Sequence, residues 1–224
     1  MLIIFANMDI KMDKTMDEEI KNPFANLFDD KIINCKPISN LITIYISGTI
    51  EPPEKYIGCI DAIRNANDTD VIRIHINSPG GDLFTTIQFI RAITESSAMV
   101  VCSAEGACMS AATMLFLSGQ RFEISEHCLF MFHNYSGGTF GKGGEMYDQL
   151  VNERKWSENI IRKVYEGFLT EAEIRSILDN KDIWMEGKEV MKRLESKINP
   201  KPTKPKTPSA KTPPAKKKTA PPKK

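Results

Sequence analysis

The stretch VIRIHINSPGG, residues 71–81, joins a strand pattern to a glycine turn. Isoleucines occupy every second position from Ile72 to Ile76, which is typical of a strand with one buried face. The pattern stops at Asn77, and a proline followed by two glycines indicates a turn. Residues 82–95 then carry apolar side chains at helical spacing. The stretch therefore predicts a strand that passes through a glycine turn into a helix.

Similar units recur on both sides of this stretch. Strand patterns are predicted at 41–50, 98–104 and 128–133, and helices at 53–66, 110–117, 144–168 and 171–178. The last of these helices should begin with a capping box, because Thr170 precedes Glu173 by three residues. Alternating short strands and helices predict an α/β domain with mostly parallel strands.

The formal net charge of +1 conceals two different compositions in the 224 residues. Residues 199–224 contain nine Lys, eight Pro and no acidic residue, so this segment carries +9 and the rest of the chain −8. A segment of Lys, Pro, Thr, Ser and Ala cannot bury enough apolar surface to fold. We expect a divergent N-terminal segment at 1–36, one domain at 37–198 and an unfolded tail at 199–224 that binds anionic partners weakly.

Cysteine usage and hydropathy predict a cytoplasmic protein. The five cysteines are an odd number without the spacing of a disulfide framework or a zinc site. No apolar stretch approaches the roughly 18 residues of a membrane span. Residues 1–8 are apolar, but acidic residues follow them and no basic start precedes them, which is wrong for a secretory signal.

Ser110 stands where a nucleophile would suit the chemistry. Small residues flank it, and it opens an apolar helix whose free amides would favour a developing oxyanion. Taken alone, Ser110 is more typical of a helix N-cap than of a nucleophile. Cys108 is a rival nucleophile, although a cysteine in an apolar run is usually a small core residue.

The sequence contains only three histidines, and histidine is the residue best suited to act as a general base near neutral pH. His75 lies within a strand pattern and His127 in a turn, and both positions favour structural roles. His133 ends a buried strand just before a loop, where catalytic groups are commonly placed. The amides of the turn at 77–81 could cradle an anion, but no Walker or GxGxxG pattern is present, so a phosphate loop is not expected.

Four ordered motifs together resemble the ClpP serine peptidases. They are Asn77-Ser78-Pro79-Gly80-Gly81, the segment 106–112, Met131-Phe132-His133 followed by Gly137-Gly138, and Lys181-Asp182-Ile183-Trp184-Met185. The resemblance covers about residues 42–195, and four motifs in order are far more specific than any one of them.

The resemblance implies a Ser-His-Asp triad. Ser110 would be the nucleophile, His133 the general base and Asp182 the carboxylate that orients His133. The amides of Gly81 and Ala111 would form the oxyanion hole. The residues alone do not choose Asp182 over Asp179 or Asp148.

The resemblance also implies a fold and partners. The fold is a spiral of strand-strand-helix units, from which residues 144–168 would project as a handle helix. Stacked heptameric rings would enclose a chamber for unfolded polypeptides, and an ATP-dependent unfoldase would dock on the rings. ATP would bind that partner, so no cofactor or metal is expected on this chain.

Departures from the family fall at 1–36, Cys108, Asn134 and Tyr135, and they bear on unfoldase docking and on substrate preference. Such divergence resembles ClpP-like proteins encoded by viruses, whose role is capsid maturation and whose location would be the host cytoplasm. Two alternatives remain. One is a catalytically inactive ring subunit or scaffold, and the other is a crotonase-type enzyme acting on acyl-coenzyme A with the same fold.

Overall fold

The computed structural model describes residues 2–4 and 39–198 of the chain. The strands are β1 (Leu2–Ile4), β2 (Leu41–Ser47), β3 (Val71–Ser78), β4 (Met99–Met109), β5 (Arg121–Ile124), β6 (Leu129–Phe132) and β7 (Ile183–Glu186). The helices are α1 (Ile57–Arg64), α2 (Leu83–Glu95), α3 (Ala111–Leu117), α4 (Gly143–Tyr165), α5 (Glu171–Leu178) and α6 (Gly187–Ile198), and a 3₁₀ turn at Pro53–Tyr56 precedes α1. The fold is therefore a mixed α/β domain, which confirms the predicted class.

One sheet of seven strands organises the domain. Strands β2, β3, β4 and β5 lie side by side and parallel, and β1 pairs antiparallel with β5 at the edge. The long strand β4 has two neighbours on one side, because its first half pairs with β5 and its last three residues pair with β6. Strand β7 then pairs antiparallel with β6. Most of the pairing is parallel, as the alternation of strands and helices predicts.

The buried face of the central strand carries the predicted isoleucines. Ile72, Ile74 and Ile76 have no exposed surface, and they belong to one core that includes Phe89 and Ile93 of α2. Truncating any one of these isoleucines to Ala would destabilise the fold by about 2–5 kcal/mol, because a cavity would remain. The opposite face of β3 is polar, with Arg73 bound to Glu123 at 3.0 Å.

Helix α4 differs from its predicted pattern. The sequence predicts an apolar stripe along this helix, formed by Met146, Leu150, Trp156, Ile160, Val164 and Phe168. The residues that are buried in the structure are instead Ser157, Ile161 and Tyr165. The helix ends at Tyr165, so Phe168, predicted as its last apolar residue, lies beyond it. The first half of the helix leaves three large apolar side chains exposed, namely Tyr147, Leu150 and Val151.

Four elements were not predicted from sequence, and β1 is the first of them. Strands β5 and β7 have only four residues each, and α6 follows β7 directly at Gly187. Strand β4 also runs five residues past the predicted end at residue 104, as far as Met109. Its extra length carries the chain to Ser110.

Within 2–4 and 39–198, no helix is both long and apolar enough to cross a bilayer. The predicted Lys/Pro-rich tail and nearly all of the N-terminal segment, including Cys35, lie outside the described residues.

Candidate active site

The turn after β3 is shaped by its own polar side chains. The Ser78 hydroxyl accepts a hydrogen bond from the Gly80 amide at 3.1 Å, and Asn77 Oδ1 accepts one from the Ala107 amide at 2.9 Å. Asn77 thus ties the turn to the strand that leads to Ser110. Asp82 caps α2 by accepting from the Thr85 amide, so the turn passes directly into the predicted helix.

Gly81 lies against the backbone of residue 50. A β-carbon on Gly81 would stand 2.2 Å from the Ile50 carbonyl oxygen, and its φ of +150° is one that side chains rarely adopt. Ile50 donates to the Gly80 carbonyl and accepts from the Asp82 amide, so the backbone of the turn is held on both sides of Gly81. The position therefore requires glycine.

Ser110 occupies a strained connection between β4 and α3. Its φ of 54° and ψ of −128° are unusual for a residue with a side chain. The residue holds the N-cap position of α3, yet its side chain makes no capping hydrogen bond. Its amide donates to the Met131 carbonyl at 2.8 Å. Strain of this kind persists only where surrounding contacts impose it, and it clusters at functional sites.

His133 lies beside Ser110 because of strand register. Met109 pairs with Met131 in the parallel ladder of β4 and β6, so the residues that follow both strands emerge together. The distance from His133 Nε2 to Ser110 Oγ is 2.6 Å, a hydrogen bond between partners 23 positions apart in sequence. A serine can donate its proton to imidazole in this arrangement.

Asp182 directly precedes β7, the strand that pairs with β6. The antiparallel ladder of β6 and β7 ends with Phe132 opposite Ile183, and continuing it by one residue sets His133 opposite Asp182. Residues opposite each other in such ladders have Cβ atoms about 4.5–5.5 Å apart. The Asp182 side chain is exposed here and makes no hydrogen bond to the described residues. Asp148 lies on the exposed first half of α4, and Asp179 caps the end of α5.

Gly81 and Ala111 belong to the same pocket as Ser110 and His133. Ala111 is the first residue of α3, where amides lack intrahelical acceptors. Gly81 makes no backbone hydrogen bond through its amide among the described residues. Both residues line the pocket that contains Ser110 and His133. Such amides can stabilise an oxyanion.

The remaining pocket wall was not predicted from sequence. Its apolar members are Leu83, Met114 and Ile161, and Ser157 stands among them. The Ser157 hydroxyl donates to the Arg154 carbonyl at 3.0 Å. Ser157 and Ile161 are four residues apart on α4, so they lie on the same face of the helix. This spacing is a signal in the sequence that could have placed both residues in the pocket wall.

The loop after His133 contributes two of the residues that the sequence analysis set apart from the family pattern. Asn134 and Tyr135 both line the pocket. Asn134 Nδ2 donates to Asn180 Oδ1 at 3.0 Å, and its Oδ1 accepts from the Tyr135 amide. The loop that carries His133 is thereby joined to the segment that carries Asp182.

The rival nucleophile is poorly placed for catalysis. Cys108 is completely buried, and this burial raises the pKa of its thiol well above the ordinary value, with the nearby Cys128 and Cys102 thiols adding to the effect. Its Sγ donates to the Ala112 carbonyl at 3.5 Å. A protonated thiol without access to solvent is a weak nucleophile.

The other two histidines lie outside the pocket. His75 stacks on Tyr45 with ring centroids 4.9 Å apart, and its Nδ1 contacts Glu105. His127 is exposed in the turn before β6. In the part of the chain that the structure describes, no cluster of His, Cys, Asp and Glu could hold a metal ion.

Comparison with known families gives one match. The family model described as Clp protease matches residues 40–193, well over half of the chain. No curated protein matches the chain.

Proposed function

The chain belongs to the Clp protease family, and on that premise we propose that it is a serine endopeptidase with Ser110 as nucleophile and His133 as general base. The observation that carries the proposal is the 2.6 Å hydrogen bond between Ser110 Oγ and His133 Nε2. The strained backbone of Ser110 adds support, since such strain clusters at functional sites, and its side chain makes no capping hydrogen bond to α3.

In the proposed reaction, His133 Nε2 takes the Ser110 proton while Oγ attacks the carbonyl carbon of a peptide bond. The same imidazole then protonates the leaving amine, and a water molecule hydrolyses the acyl-enzyme by the reverse proton transfers. We propose that the Gly81 and Ala111 amides stabilise the oxyanion in both halves of the reaction.

We propose Asp182 as the third member of the triad. The strand register that sets it opposite His133 supports this choice over Asp148 and Asp179. In the working enzyme its carboxylate would accept from Nδ1–H, which fixes the tautomer whose Nε2 can receive the serine proton. Nδ1 of His133 has no hydrogen-bond partner among the described residues, so it is free to donate to this carboxylate.

The proposal includes an assembly. Three exposed apolar side chains on the first half of α4 support burial against further copies of the chain, with stacked heptameric rings as the expected form. An ATP-dependent unfoldase that feeds unfolded polypeptides, with a role in protein turnover or capsid maturation, is part of the same proposal. The basic segment 199–224 is proposed to bind anionic partners weakly, and such binding should weaken as salt increases.

A fluorophosphonate probe tests the chemistry most directly. We expect purified protein to be labelled at Ser110, and labelling should disappear in Ser110→Ala and in heat-denatured protein. An inactive ring subunit or a crotonase-type enzyme would not be labelled. Absence of labelling in folded wild-type protein would therefore contradict the proposed function.

A further inference from the structure

One buried threonine interrupts the otherwise apolar helix α3. Thr113 has no exposed surface, and residues from Ala111 to Phe116 are all buried around it. Its hydroxyl lies 2.7 Å from the Ser110 carbonyl oxygen and 2.7 Å from the Tyr165 hydroxyl. The Thr113 amide also donates to the Ser110 carbonyl, at 2.9 Å.

The chemistry of these groups fixes the direction of both hydrogen bonds. A carbonyl oxygen only accepts, so the single Thr113 hydroxyl proton must point at Ser110. Thr113 Oγ1 can then serve Tyr165 only as an acceptor, and the Tyr165 hydroxyl must donate. Burial raises the pKa of the Tyr165 phenol, so it keeps this proton at working pH.

Tyr165 also contacts the strand that carries the base. Its ring meets Phe132 edge to face, with centroids 5.4 Å apart. Phe132 is the last residue of β6 and directly precedes His133. One fully buried side chain at the end of α4 thus contacts Thr113, which is bonded to the Ser110 carbonyl, through its hydroxyl, and Phe132, which precedes His133, through its ring.

We propose that Tyr165 and Thr113 are positioning residues that hold the Ser110 turn against His133 at hydrogen-bonding distance. Neither side chain reaches the substrate in this account. They hold the Ser110 carbonyl, whose orientation defines the unusual ψ of that residue, and Tyr165 seats the end of β6. The inference rests on the proposed serine mechanism and deepens it.

The test compares Tyr165→Phe, Thr113→Val and Thr113→Ser in the full chain. The first two variants remove one hydroxyl each, whereas Thr113→Ser retains it. We expect Tyr165→Phe and Thr113→Val to lower kcat and the rate of fluorophosphonate labelling at least about 10-fold with KM nearly unchanged, because misplacement affects only the reacting groups. Thr113→Ser should keep a rate close to that of wild type.

Ser118→Ala is the matched control for loss of helix stability. Ser118 donates to the Leu115 carbonyl at 2.6 Å at the other end of α3, far from the Ser110 turn. This variant should unfold at a lower temperature and still react at the wild-type rate. Equal losses of rate in Ser118→Ala and Tyr165→Phe would overturn the proposal, because both would then reflect stability.

Other outcomes separate this inference from the function on which it rests. Wild-type rates in both Tyr165→Phe and Thr113→Val, with wild-type protein labelled at Ser110, would refute the positioning role alone. Folded wild-type protein that is not labelled would refute the proposed function, and the positioning role with it. If Thr113→Val does not fold, the contrast between Tyr165→Phe and Thr113→Ser decides the question.

Discussion

Gly80 packs directly against Ser110. A β-carbon on Gly80 would lie 2.6 Å from Ser110 Cβ and 2.8 Å from the Met109 carbonyl oxygen. Carbon atoms that are not bonded to each other cannot lie this close. Any side chain at position 80 must therefore displace the turn that carries Ser110. The glycine turn after β3 is thus part of the packing around Ser110 and not only a connection between β3 and α2.

Gly80→Ala should reduce peptidase activity roughly 10²-fold or more, because a displacement of about 1 Å misaligns Ser110 and His133. The measurement is the rate of short-peptide hydrolysis by folded protein. Gly58→Ala is the control, since Gly58 lies in a helix with nothing within 4 Å of the added methyl group. Equal activity in the two variants would contradict the packing argument.

Gly81→Ala tests the proposed oxyanion hole separately. The clash with Ile50 should move the Gly81 amide while Ser110 and His133 remain in place. Loss of one donor is worth roughly 10²-fold in kcat. A variant that hydrolyses peptides at the wild-type rate would show that this amide takes no part.

Ser110, His133 and Asp182 should act as one unit. Ser110→Ala should reduce hydrolysis roughly 10³-fold or more, and adding His133→Ala should cost little further, because only binding and oxyanion stabilisation would remain. Asp182→Asn should reduce kcat by more than about 10²-fold through the wrong imidazole tautomer. If the losses of activity in the two single variants added up in the double variant, the residues would not act in a shared step. His127→Ala is the control and should retain full activity.

Cys108 should be inert in the native protein. Burial raises the pKa of the Cys102 and Cys128 thiols to about 12 and holds that of Cys108 well above its ordinary value, whereas Cys59 is partly exposed. Mass spectrometry after brief alkylation should therefore find Cys59 modified and Cys108 unmodified. Cys108→Ala should lower stability by about 1 kcal/mol through a small cavity and leave the mechanism intact. Alkylation of Cys108 in parallel with loss of activity would point to a cysteine mechanism.

Glu173 should make stability depend on acid pH. It accepts two hydrogen bonds from Arg193, which together with the Thr170 capping bonds lower the pKa of its carboxyl from 4.5 to about 2. The stabilisation is therefore complete above pH 4.5 and is lost as the pH falls toward 2.

Glu173→Gln isolates that charge, because glutamine can still form the capping box. Near pH 7 it should lower the free energy of unfolding by about 1 kcal/mol, and the difference should shrink toward pH 2. Urea unfolding at several pH values measures this. Glu95→Gln is the control, since its ion pair with Arg91 is exposed. A difference between wild type and Glu173→Gln that stayed constant with pH would exclude the charge as its cause.

Assembly should depend on the exposed apolar side chains of α4. Leu150→Asp should shift the sedimenting species toward a 25.2 kDa monomer, because a charge would be buried in the contact. Asn152→Asp adds the same charge at a neighbouring exposed position without removing apolar surface, and it should leave assembly unchanged. Wild-type protein that sediments only as a monomer at micromolar concentration would contradict the assembly proposal and leave the triad proposal standing.

Local patterns in the sequence determined much of the fold. The alternating isoleucines of β3 predicted a half-buried strand, and the capping box of Thr170 and Glu173 is present as predicted. These features could be predicted because periodicity and capping involve residues within a few positions of one another. Strands β5 and β7 were not predicted, because four residues are too few to show the two-residue period of a strand.

The tertiary structure decided which remote residues meet. The sequence suggested Ser110 and His133 one by one, but their 2.6 Å hydrogen bond depends on the register of Met109 with Met131. No local pattern encodes the register of strands separated by some twenty residues, because it is set by packing of the whole sheet. The contact of Tyr165 with Thr113 likewise exists only because α4 returns its last turn to the core.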